Sequence, residues 1–160
     1  MIATRIRTIA LALALAGLVP GTTAQAAEMS GSGSVTYVPV SSESSTLPNG
    51  DTLVRDHVKG VMISDDPSAS YHLASQDCMS TAVIAKDGSP PISTGVCDGV
   101  DKQGNMWWVW IRSGPDGGTW GFLGGTGAYA GNTGGGTAEV QTRWPDGRYA
   151  MRWQGKWTTK

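Results

Sequence analysis

Phe122 to Gly136 reads F-L-G-G-T-G-A-Y-A-G-N-T-G-G-G. Glycine at this density lets a backbone turn sharply, enter positive φ or approach another backbone closely. Either a phosphate cradle or a turn in a sheet would use such a run, and the spacing separates them. Gly125, Gly127 and Gly131 give G-x-G-x-x-x-G, which misses the dinucleotide spacing, and no Lys-Ser or Lys-Thr follows to make a P-loop. Phosphate loops also open a helix whose N-terminal amides hold the anion. Here Thr137 to Arg143 is an alternating segment that suits a strand. The run is a glycine-rich hairpin in a sheet wall, and nucleotide binding is not expected.

Period-two alternation recurs along the chain between turn signals, and no helical pattern fits any long window after the first residues. In the last segment Tyr149, Met151, Trp153 and Trp157 share one face while Arg148, Arg152, Gln154 and Lys156 share the other. A one-residue slip there would bury cations, so the register is well specified. The same pattern predicts strands at Gly33–Val40, Thr52–Ser64, Ser70–Ile84, Ile92–Cys97, Met106–Ser113, Thr119–Gly124, Gly135–Trp144 and Arg148–Thr158. Pro48-Asn49-Gly50, Asp65-Asp66-Pro67, Lys86-Asp87-Gly88, Gln103-Gly104-Asn105 and Pro145-Asp146-Gly147 are among the turns between them. The expected fold is all-β, a single antiparallel barrel of about eight strands, with a β-sandwich as the alternative.

Residues 1–27 have the three parts of a cleaved export signal, which leaves 28–160 as the barrel domain. Arg5 and Arg7 precede the apolar run Ile9 to Val19, and Ala24-Gln25-Ala26 is an A-x-A-like cleavage site. That run is too short for a permanent membrane span, so the expected location is periplasmic or extracellular, without a membrane anchor. The whole chain carries 12 Lys and Arg against 13 Asp and Glu; losing Arg5 and Arg7 leaves 10 against 13, or −3. Arg143, Arg148, Arg152 and Lys156 are too few and too interspersed with tryptophan to form the basic stripe that nucleic acid requires. Cys78 and Cys97 are the only cysteines, and in an oxidising compartment they are expected to form a structural disulfide.

The glycine segment resembles the G-G-T-G-x-[YF]-x-G-x-x-G stretch of the allene oxide cyclase and dirigent-protein barrel superfamily, in particular its small secreted bacterial members. Gly124, Gly125, Gly127, Gly131 and Gly134 carry the match. Cys97 with Asp101-Lys102-Gln103-Gly104-Asn105 is similar to the C-x-x-x-D-x-x-G-D hairpin that precedes the motif in that superfamily, with Asn105 replacing an acidic residue. With Trp107, Trp120 and Arg152-Trp153-Gln154-Gly155, the resemblance extends from Cys78 to the C-terminus. It implies the barrel. It brings no catalytic group to any position of this chain.

Chemistry-bearing residues are sparse. His57 stands in Arg55-Asp56-His57-Val58-Lys59, where Arg55, His57 and Lys59 share a face that could equally be a solvated wall. Tyr71 could meet His57 across strands, and Asp77 is a further polar candidate, whereas His72 should fall on the face opposite Asp77. Two separated histidines and a bridged cysteine pair make no transition-metal set. The turn Asp98 to Asn105 lacks the acidic spacing of a calcium loop, and no G-x-S-x-G occurs. No metal or cofactor is expected.

All tryptophans lie between Trp107 and Trp157. Trp107 and Trp108 must point to opposite faces, with Trp110 on the side of Trp108. Trp107, Trp108, Trp110, Trp120 and Trp153 are therefore candidates either to fill a core or to line a ligand site. Three functions fit: a non-catalytic module binding a small apolar or aromatic molecule or a surface partner; cyclase, isomerase or dirigent-like stereocontrol in the lumen, as the resemblance implies; or a structural protein with a filled core. For stereocontrol, Arg55, His57, Tyr71 and Asp77 are the polar helpers to consider.

Overall fold

The computed structural model describes residues 26–114 and 117–159. Most of the expected signal, residues 1–25, lies outside the described residues. Eight strands follow one another around a closed antiparallel barrel: β1 (Ala27–Thr46), β2 (Thr52–Ser64), β3 (Ala74–Ile84), β4 (Ile92–Val100), β5 (Met106–Gly114), β6 (Gly117–Gly125), β7 (Thr133–Arg143) and β8 (Tyr149–Thr159). Closure removes every sheet edge and excludes the sandwich alternative.

β1 makes the closure. Ala27–Tyr37 pairs with β8, while Gly33–Thr46 pairs with β2, so the strand is more than twice the length that Gly33–Val40 allowed. Its serine-rich second half has the composition of a loop, but the β2 ladder takes up its backbone groups. The β3 expectation is also corrected. Ser70–Leu73 is a turn, tied by Ala74 N–H to Tyr71 carbonyl at 3.2 Å, and Leu73 takes φ 62°. Tyr71 and His72 therefore sit on a loop, and the opposite-face argument for His72 does not apply.

The glycine segment spans the end of β6, a 3₁₀ turn at Gly127–Tyr129 and the start of β7. Gly127, Gly131 and Gly134 have φ of 52°, 74° and 115°. Gly125 is tight in another way, since a Cβ there would lie 2.7 Å from the Met106 carbonyl. The motif shapes the wall, as its sequence suggested.

Inward aromatic rings lie opposite glycines of the neighbouring strand. Tyr37 pairs with Gly60, Trp153 with Gly33 and Trp107 with Gly99. A Cβ on Gly60 would stand 2.7 Å from the Tyr37 ring and one on Gly99 2.7 Å from Cη2 of Trp107. Trp120 lies over Gly155 in the same manner, 2.9 Å from such a Cβ. Each ring thus lies along the wall, where it buries area against backbone. The central core comprises Val35, Tyr37, Val58, Ala74, Cys78, Cys97, Trp107, Val109, Tyr129 and Trp153.

Cys78 and Cys97 face each other across β3 and β4 and form the expected disulfide, with Cα atoms 4.0 Å apart. Closing a loop of 19 residues should stabilise the fold by about 3 kcal/mol on the chain-entropy model. Chemical denaturation with and without reductant is expected to show a loss of that size. Gly99→Val, which drives a side chain into the Trp107 ring, should cost about 1–3 kcal/mol and alter the near-ultraviolet circular dichroism.

Candidate functional site

The barrel encloses a cavity of about 720 Å³. Its closed end is aromatic. Tyr71, on the β2–β3 loop, meets Trp153 edge-on at 5.6 Å and Trp157 at 5.8 Å between ring centroids. Trp107 packs against Tyr129 at 4.9 Å, and Tyr129 hydroxyl shares a 3.0 Å hydrogen bond with Ser70, which pins that loop beneath the barrel.

Midway along the lumen, Tyr37 donates to Oε1 of Gln76 at 2.5 Å. Sγ of Cys78 approaches the same hydroxyl at 3.5 Å, but a disulfide sulfur has no proton to give. Nearer the open end, Tyr149 packs on Tyr37 at 5.1 Å and the Arg143 guanidinium lies 5.0 Å over the Tyr149 ring. Ser42 donates to Asp56 at 2.6 Å, and Ser93 and Ser113 share a 2.5 Å bond. These groups form a polar collar on an otherwise apolar chamber.

Two β-bulges contribute to that collar. In β1 the register shifts between Pro39 and Ser41, which turns Ser42 to the same side as its partner Asp56. In β7 it shifts between Val140 and Thr142, so Arg143 pairs with Tyr149 and faces inward. Regular alternation from Ala138 would have sent both Arg143 and its charge outward.

Burial pushes the phenols up. Tyr37 is raised by desolvation and then by Tyr149; Tyr149 is raised chiefly by burial. Tyr129 is pushed up to about 12, first by burial. All three therefore remain protonated donors at neutral pH.

The residues singled out in the sequence divide between two surfaces. Tyr71, Trp107, Trp120 and Trp153 line the chamber. Trp108 and Trp110 point outward; Trp110 is 40% exposed and rests against Gly121. Arg55, His57 and Asp77 belong to the outer wall, so His57 does not meet Tyr71, and its β3 partner is Met79. There Nε2 of His57 lies 2.6 Å from Asp77 Oδ1, and Lys59 Nζ lies 3.2 Å from Asp77 Oδ2. Partial burial works to raise the Asp77 carboxyl, but the His57 and Lys59 hydrogen bonds outweigh it and hold it below the usual range. Among the described residues no group of three His, Cys, Asp or Glu could hold a metal.

Tyr37, Asp56, Gln76, Arg143, Tyr149 and Trp157 also line the chamber but were not among the sequence candidates. Trp157 was legible from its shared face with Trp153. Asp56 and Gln76 were legible only as polar members of strand faces that are otherwise apolar. Arg143 was hidden by the bulge.

No family model and no curated protein matches the chain in sequence. Solved structures that share its fold include two dirigent proteins. The pterocarpan synthase dirigent protein GePTS1 superposes with a TM-score of 0.55 at 12% identity, over 84% of this chain and 92% of that one. The pterocarpan synthase dirigent protein PsPTS1 gives 0.53 at 12% identity, over 85% and 96%.

Alkaline titration checks the burial of the phenols. The unfolded chain releases the Tyr129 proton near 10.0 while the native site keeps it to about 12. Stability should therefore be complete below pH 10 and fall as pH rises toward 12, with delayed tyrosinate absorbance at 295 nm in the native protein. Taken together, the closed eight-stranded ring and the two superpositions show that this chain has the dirigent-like barrel fold.

Proposed function

We propose that this is an exported, non-catalytic module that holds a small apolar or aromatic molecule inside its barrel. The hollow chamber of about 720 Å³ carries the reading, because that volume lies within the range of small-molecule pockets. Its lining is mostly apolar and aromatic, with a few polar groups to orient a guest. A cavity of that size also speaks against a filled structural core. Export is supported by the disulfide and by the signal-like sequence of residues 1–27. Among the described residues no helix is long and apolar enough to cross a membrane.

A second reading, cyclase, isomerase or dirigent-like stereocontrol of a reactive intermediate, is favoured by the fold shared with two pterocarpan synthase dirigent proteins. Allene oxide cyclase-like isomerisation without a cofactor belongs to the same reading. It would rest on positioning in a water-poor enclosure. Its polar helpers would be the chamber's own Tyr37, Gln76 and Asp56, with Tyr71 at the closed end, because His57, Asp77 and Arg55 lie outside.

Titration with N-phenyl-1-naphthylamine tests the binding reading. The wild type should raise the probe's emission and quench its own tryptophans. Ser80→Trp, which places a ring at the open end of the chamber, should lower the probe's affinity at least about tenfold while the melting temperature stays within a few degrees. No binding by the wild type would sink the proposal.

A further inference from the structure

The open end of the chamber carries a carboxylate whose position suits a charged guest. Asp56 is half-buried, faces the lumen from β2, and takes one protein hydrogen bond, from Ser42 to Oδ1. Among the described residues no cation lies within ion-pair distance of it. Among the described residues Oδ2 of Asp56 accepts no hydrogen bond, which leaves it open to a cation.

The surroundings favour an organic cation over a bare ion. Asp56 pairs across the sheet with Ser42 and Ser80, so hydroxyls flank it on both sides. The Tyr149 ring, near Asp56, packs on Tyr37 and already holds the Arg143 guanidinium over its face. Ring faces attract ammonium groups, most strongly where water is sparse. Beyond them the tryptophan-lined chamber offers room for an apolar body.

Other charges stand at the same end. Arg143 also faces inward; it is exposed, and its guanidinium lies over the Tyr149 ring. Arg112 and Glu139 stand at the rim in outward register, opposite Thr94 and Arg152 respectively. Without Arg5 and Arg7 the formal charge is −3, which also favours cations at a distance.

We propose that the chamber selects an organic ammonium ligand, an amine on an aromatic or apolar body, with Asp56 as the residue that reads the amine. This specificity rests on the chamber-binding function proposed above.

Calorimetric titration at neutral pH with 1-naphthylmethylamine, 1-naphthylmethanol and 1-naphthoate tests it, since these share a ring system and differ in head charge. The wild type should bind the amine about tenfold more tightly than the alcohol, the scale of one charge-assisted hydrogen bond. The preference should shrink with added salt. Asp56→Asn should weaken the amine about tenfold more than it weakens the alcohol. Equal binding of amine and alcohol, or a preference for naphthoate, would overturn the assignment while leaving the chamber-binding function standing. Binding of none of the three would remove both. The wild-type comparison decides the matter by itself if the variant does not fold.

Discussion

The chamber depends on the pairing of large rings with bare backbone. Were the residues opposite Tyr37, Trp107 and Trp153 to carry side chains, those rings would have to stand into the lumen, and so many aromatics would fill an eight-stranded barrel. Glycine at each opposing site lets the ring lie across the next strand, burying roughly 150 to 250 Å² without occupying the centre. The high glycine content and the high tryptophan content are thus two halves of one arrangement. Trp110 over Gly121 repeats it on the outside of the wall.

Much of this was legible in advance. Alternation placed β2 at Thr52–Ser64, as observed, and assigned the inner face of β8 correctly. Strand direction and alternation, however, report only which residues share a face. The opposing glycines emerge only once the register between strands is known, and a single sequence does not contain that register. For the same reason His57, Asp77 and Arg55 looked available to a lumen they do not enter. The length of β1 was hidden by a serine-rich stretch whose strand character comes from its partner.

Charge is separated by the wall. Outside, His57, Asp77 and Lys59 form a solvent-facing network of the kind that adds little stability. Inside, ionisable groups are few, and burial raises the phenols of Tyr37, Tyr129 and Tyr149. The interior therefore acts through hydrogen-bond donors, ring faces and the inward charges of Asp56 and Arg143.

The bulges in β1 and β7 each place one residue out of step, and the consequence is modular. Beyond each irregularity, odd and even positions exchange sides, so the rim's inventory of head-group contacts is decoupled from the hydrophobic code of the strand below. Moving a bulge by a single position would present a different set of side chains to an entering molecule without rewriting the ring-and-glycine masonry that keeps the vessel empty.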